Sequence, residues 1–155
     1  MSEELRKDPR LRKAVDGLQS LLDLRVRDIM QTEVITLDVD DLLATAARTF
    51  IENRINGVVV MNGGRVYSVL SSWDLLHESY LETFSEKMDH LKAPLDDIIE
   101  DPKYEAVSPS TTLANAVSVI ARTNYRTLPV TDNGELVGLI SIMDIIKTYD
   151  RLILT

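Results

Sequence analysis

Two short stretches of this chain carry residue types that can do chemistry. Ser71-Ser72-Trp73-Asp74 and Ser141-Ile142-Met143-Asp144 each put a hydroxyl at the end of a predicted strand. A carboxylate follows three residues later, on the first turn of a predicted helix. A serine hydroxyl and free backbone amides at a helix N-terminus suit an anion. A carboxylate there is a charged acceptor for hydroxyl donors, worth roughly 1.5–3 kcal/mol per bond. The same two residue types also cap helices, so either motif alone reads equally well as a cap. Their recurrence at a spacing of 70 residues favours a shared role in binding.

The elements that position these motifs are duplicated with them. Val26-Arg27-Asp28-Ile29-Met30 reads as a helical turn, followed by a β-branched strand, Val34-Ile35-Thr36-Leu37. Residues 38–41 offer caps for a helix with Leu42, Leu43, Ala46, Ala47, Phe50 and Ile51 on one face. A strand over 58–61, the turn Asn62-Gly63-Gly64, a returning strand over 65–70 and a helix from Ser72 complete the unit. Leu95-Asp96-Asp97-Ile98-Ile99 echoes the opening turn at an offset of 69, and from Leu43 onward the offset is 70 without a gap. Such duplication predicts two copies that bury faces against each other. The expected organisation is an amphipathic N-terminal helix within 1–23, repeat 1 over 24–80, a polar helical linker over 81–92, repeat 2 over 93–150 and a tail over 151–155. Leu11, Val15, Leu18, Leu21 and Leu22 form the apolar stripe of the first helix, predicted to pack on the body or on a partner subunit.

Composition narrows the function. The chain of 155 residues is 45% hydrophobic and 27% charged, which is ordinary for a globular protein of one domain or two small ones. It has no apolar run long enough to span a membrane and no secretory signal, so a cytoplasmic protein is expected. Without cysteine, and with only His77 and His90, disulfides, thiolate metal sites and a histidine zinc site are not expected. A net charge of −8 argues against a nucleic-acid binder. Enzyme signatures are missing: there is no Gly-x-Ser-x-Gly, no phosphate-cradling glycine loop, no His-Glu-x-x-His and no cysteine nucleophile.

Strand, helix, strand, turn, strand, helix, repeated once and ending each time in Ser-x-x-Asp, resembles the tandem cystathionine-β-synthase (CBS) domain pair, or Bateman module, over residues 24–150. The stretch from Arg126 to Ser141, with Pro129, Asn133-Gly134 and Gly138, carries the resemblance most clearly. It implies an α/β (α+β) fold of two β-α-β-β-α repeats about a pseudo-twofold axis, with an extra N-terminal helix, and a disc-like homodimer. It further implies clefts for adenosine-containing ligands: AMP, ADP, ATP or S-adenosylmethionine. The carboxylate would take the ribose hydroxyls, the serine and helix amides a phosphate, and the apolar strand residues the adenine.

By the same resemblance each cleft takes its Ser and Asp from one repeat and its facing wall from the other. Cleft A would use Ile140, Ser141 and Asp144, faced by Val34, Asp41, Ala46, Asn56 and Gly57. Cleft B would use Leu70, Ser71 and Asp74, faced by Tyr104, Thr111, Ala116, Arg126 and Thr127. Gly138 would let the ligand approach the backbone of cleft A, where cleft B has Ser68 instead. Thr111 and Arg126 favour phosphate in cleft B, whereas the carboxylate of Asp41 in cleft A disfavours it. Asp40-Asp41 and Asp96-Asp97 read as caps and solvated turns, Met30, Met61 and Met143 as core, His77 as exposed and Trp73 as a packing residue at a dimer or repeat interface. The expected function is a regulatory, energy-sensing module that passes a conformational signal to an unidentified regulated protein, with no required cofactor. The alternative is a ligand-free interaction or dimerisation module, its adenine slot filled by Tyr67, Trp73 or Tyr104.

Overall fold

The computed structural model describes Glu3 and residues 7–83 and 91–154, the side chains of 81–83 excepted. Most of the expected linker therefore lies outside the described residues. The elements run in the order α1 (Pro9–Asp23), α2 (Val26–Ile29), β1 (Thr36–Asp38), α3 (Leu43–Asn53), β2 (Gly57–Asn62), β3 (Arg65–Ser71) and α4 (Ser72–Thr83). They continue as α5 (Leu95–Ile98), α6 (Leu113–Thr123), β4 (Thr127–Asp132), β5 (Glu135–Ser141), α7 (Ile142–Tyr149) and a π-helical turn, Asp150–Leu154. The mixed α/β fold with two copies of one unit agrees with the sequence reading.

In the first unit β1 runs parallel to β2, and β2 antiparallel to β3. In the second, β4 and β5 form the same hairpin, with a register shift after Val130 that matches the one after Val60. Both hairpins close through two residues with positive φ, Gly63-Gly64 and Asn133-Gly134, the conformation of the tight turn that suits the twist of paired strands. The expected first strand of repeat 2 shrinks to a single bridge, Val107 to Val130. The reason is local. In the first unit the amide of Val39 extends the pairing by donating to Met61 O at 3.0 Å. The residue in the matching place is Pro109, which has no N–H to donate.

The helix α3 begins at Leu43, one residue later than a cap at Asp41 would start it. Its N-cap is Leu42, without a side-chain bond, and Asp41 instead accepts from Asp38 N at 2.7 Å, closing the turn before it. In α6 the cap is a hydroxyl, Thr112, accepting from Asn115 N.

Two apolar cores result, and each is completed by the other repeat. Val26, fully buried, belongs to the core of Val107, Leu113, Ala116, Leu128, Val130, Ile140 and Ile145. Leu95, fully buried, belongs to the core of Leu37, Leu43, Ala46, Phe50, Val58, Val60 and Leu70. Backbone bonds fix both exchanges. Val26 N donates to Thr111 O at 2.8 Å and Leu113 N to Leu24 O at 2.8 Å. Likewise Leu95 N donates to Asp41 O at 2.8 Å and Leu43 N to Ala93 O at 3.0 Å. The opening turns are thus traded between units, which ties the repeats together through main chain as well as side chains.

Helix α1 packs on the body through Leu21, which enters the core of the second repeat with Leu24 and Leu152 against it. The C-terminal turn crosses α1 at Gly17, where an added Cβ would lie 2.9 Å from Ile153 Cγ1 and 3.1 Å from Leu152 O. Only a residue without a side chain allows that approach.

Candidate functional site

Both Ser-x-x-Asp motifs stand at the junction of a buried strand and a helix N-terminus. Gly57 is the register partner of Ser71, and Thr127 of Ser141. Across the pseudo-twofold axis these two pairs meet, since a Cβ on Gly57 would lie 2.7 Å from Thr127 Oγ1. The starts of β2 and β4 therefore bring residues 56–57 and 126–127 between the two motifs. Ser72 N donates to Asn56 O at 2.9 Å and Ile142 N to Arg126 O at 3.0 Å, in matching fashion. Asn56 and Arg126 have exposed side chains beside this junction.

Each motif closes on itself as a capping box, so the reading as helix caps holds as far as it goes. Asp74 Oδ2 accepts from Ser71 N at 2.7 Å and from Ser71 Oγ at 2.8 Å, and Asp74 N donates to Ser71 Oγ at 3.1 Å. Asp144 Oδ2 accepts from Ser141 N at 2.8 Å and Ser141 Oγ at 2.9 Å, while Asp144 N donates to Ser141 Oγ at 3.3 Å. The box uses one oxygen of each carboxylate. Among the described residues, Oδ1 of Asp74 accepts nothing further. Asp144 differs: Gln31 Nε2 donates to Oδ1 at 3.0 Å and to Oδ2 at 3.1 Å.

Gln31 and its counterpart Lys103 are residues that sequence reasoning missed. Gln31 pairs with Leu139 through both backbone groups, at 2.8 and 2.9 Å, and Lys103 O accepts from Val69 N at 3.0 Å. The segment after each opening turn thus lies along the last strand of the other repeat. Lys103 Nζ pairs with Asp101 at 3.3 Å, an exposed pair of small energetic weight. These positions were hidden because the loops before them differ in length, so a fixed offset does not align Gln31 with Lys103.

Several expected roles change. The bare Cα of Gly138 is taken up by the chain itself, for an added Cβ would sit 2.7 Å from Met30 Sδ and 2.9 Å from Gln31 O. At the equivalent Ser68, the hydroxyl accepts from Lys103 N at 3.0 Å and donates to Lys103 O at 3.2 Å. Neither position leaves room for a ligand at the backbone. Ala46, Ala116 and Ile140 are fully buried and Leu70 nearly so; they shape the cores rather than offer side-chain surface. The Thr111 hydroxyl accepts from Ser108 N at 3.0 Å within a turn, just as Asp41 does with Asp38. The Thr111 proton is directed to Ser108 Oγ at 3.4 Å, inside the same turn, and Asp41 is hydrogen-bonded but has no ion-pair partner among the described residues. Val34 is half-buried and lies outside β1, while Tyr104 is largely exposed.

Tyr67 and Trp73, two of the residues that could have plugged a cleft, are engaged elsewhere. Tyr67 packs against the core of the first repeat and donates its hydroxyl to Asp96 Oδ1 at 3.1 Å. Loss of hydration, then the bond to Asp96 and its negative charge, raise the Tyr67 pKa above the ordinary value of 10.0. Trp73 is 68% exposed and stacks on His77 with ring centroids 6.1 Å apart, so it is not at the repeat interface. Met143, expected in the core, is 55% exposed. Among the described residues no group of histidines and carboxylates is placed to hold a metal, and no helix is long and apolar enough to cross a membrane.

The duplicated unit, the exchanged turns and the paired capping boxes agree with the likeness to known proteins. The CBS domain family profile matches residues 26–80 and 95–151, and the chain belongs to that family. It is 29% identical over 123 residues to the uncharacterized protein MJ1225 of Methanocaldococcus jannaschii, covering 79% of this chain but 41% of that one. This chain thus spans about two-fifths of that relative. Among solved structures, CBSX2 in complex with AMP superposes with a TM-score of 0.69 at 22% identity, over 82% of this chain and 96% of that one. The CBS domain pair of protein MJ0100, in complex with 5′-methylthioadenosine and S-adenosyl-L-methionine, superposes with a TM-score of 0.71 at 18% identity, over 83% and 97%. At these identities the two structures share the fold.

Proposed function

We propose that this chain is a ligand-sensing CBS pair, not an enzyme, that binds an adenosine-containing molecule between its repeats. Cleft B is the primary site. The observation that carries this reading is the carboxylate of Asp74, held by Ser71 through Oδ2 with Oδ1 left to accept. A ribose would donate to that outward side, with Thr127 and Gly57 nearby and Tyr104 at the rim. Arg126 and Lys103 would supply cations for a phosphate, in a chain whose net charge is −8. The AMP of CBSX2 and the adenosyl ligands of MJ0100 support the ligand class.

The module acts as a homodimer. Helix α4 exposes Trp73, Leu76 and Tyr80 at helical spacing, and α7 exposes Met143 and Ile146, the counterparts of Trp73 and Leu76, together with Tyr149. Two such stripes on one body suit a second copy of the same chain. A ligand that prefers one arrangement of repeats or protomers shifts that arrangement, and a cytoplasmic partner protein reads the shift.

Calorimetric titration with AMP, ADP, ATP and S-adenosylmethionine tests the site. Micromolar binding that Asp74→Ala abolishes supports it, with Arg126→Ala weakening AMP but not adenosine. Equal AMP affinity in the wild type and Arg126→Ala removes the phosphate role of Arg126. Silence with every ligand favours the interaction module, for which the exposed α4 stripe is the specific support.

A further inference from the structure

The two carboxylates differ in one respect that the sequence repeat conceals. Gln31 Nε2 is 3.0 Å from one oxygen of Asp144 and 3.1 Å from the other. A donor nearly equidistant from both oxygens lies in front of the carboxylate, on the side opposite its Cβ. Two hydroxyls of a vicinal diol need that same side to reach both oxygens. The remaining acceptor directions of Asp144 Oδ2 are spent on Ser141 N and Ser141 Oγ. In the first motif the box with Ser71 is the same, but the front of Asp74 has no donor among the described residues. Lys103, which occupies the place of Gln31 against β3, turns its ammonium to Asp101 instead.

We propose that Gln31 is an internal substitute for a diol at Asp144, a latch that closes cleft A in the unliganded chain. This rests on the adenosyl-ligand reading of the clefts. A nucleoside enters cleft A only by displacing the carboxamide, so cleft A binds more weakly than cleft B and fills second. The backbone of Gln31 is pinned to Leu139 by two bonds, at 2.8 and 2.9 Å. Release therefore needs only a side-chain rotation and leaves the fold intact. Glutamine suits a releasable latch because an amide N–H forked between the two oxygens binds the carboxylate without adding charge, where a lysine would hold Asp144 as an ion pair.

The test uses adenosine, which has the diol and no phosphate, with cleft B disabled by Asp74→Asn. Adding Gln31→Ala, or Gln31→Met to keep the chain length, is expected to tighten calorimetric binding about ten-fold. That is the lower end for a bond to a charged acceptor, as the pair borders solvent. The gain is expected to vanish when Asp144→Asn is added. Equal affinity with and without Gln31, lost with Asp144→Asn, overturns the latch and leaves the adenosyl reading standing. Absence of binding in the wild type and in every variant overturns both. A measurement without ligand completes the test: the side-chain amide resonances of Gln31 are expected to move on Asp144→Asn, and unmoved resonances overturn the latch whatever the titrations give.

Discussion

Gly138→Ala is the substitution that best probes how the site is held. The new Cβ would meet Met30 Sδ at 2.7 Å, Met30 Cγ at 3.2 Å and Gln31 O at 2.9 Å. The thioether is the end of a flexible side chain and yields at little cost. The carbonyl does not, because Gln31 is fixed to Leu139 by bonds of 2.8 and 2.9 Å. Relief of several tenths of an ångström must come from the main chain of residues 30–31, and overpacking of this kind costs roughly 1–3 kcal/mol. For a domain of this size each kcal/mol lowers the midpoint by about 2–4 °C. Urea and thermal unfolding would measure the loss, and hydrogen exchange at the Gln31 and Leu139 amides would locate it. Stability within about 0.5 kcal/mol of wild type, the size of an ordinary surface substitution, with unchanged protection of those two amides, would refute the argument that this glycine serves the chain's own backbone.

Three further outcomes follow from the same structure. Leu95→Ala removes a fully buried side chain from the core of the opposite repeat and should cost ~2–5 kcal/mol; hydrogen exchange should show the loosening in β2 and α3 rather than in β4 and α6. Tyr67 is held protonated, so its contribution to stability is complete below pH 10 and is lost as pH rises through its elevated pKa; ultraviolet titration should find it the later of the tyrosines to ionise, and earlier in Asp96→Asn. Trp73→Lys with Ile146→Lys should convert a dimer to a monomer in light scattering without shifting the unfolding midpoint by more than a few degrees, since both side chains are at least half exposed within one chain.

The sequence by itself determined the repeat and the order of elements save the first strand of repeat 2, and it offered the two Ser-x-x-Asp motifs as caps. Those are local matters: apolar period, turn residues with positive φ at Gly63-Gly64 and Asn133-Gly134, and a serine three residues before an aspartate at a helix start. It also pointed to a helix within residues 1–23, from a stripe at three- and four-residue steps, and α1 spans Pro9–Asp23. What the tertiary structure decided is which repeat each piece serves. Val26 and Leu95 look like parts of their own repeats, yet each completes the other core, because the pairing of residues 24–27 with 109–113, and of 93–96 with 39–43, joins backbone groups some 50 to 90 residues apart. The same exchange turned the bare Cα of Gly138 from a supposed ligand contact into a packing contact, and carried Gln31 across to Asp144. A single chain read in order cannot show such contacts. A glutamine with no unusual local setting becomes part of a site only when the strand beside it, set by hydrogen bonds from distant sequence, brings a carboxylate within 3.0 Å of its amide.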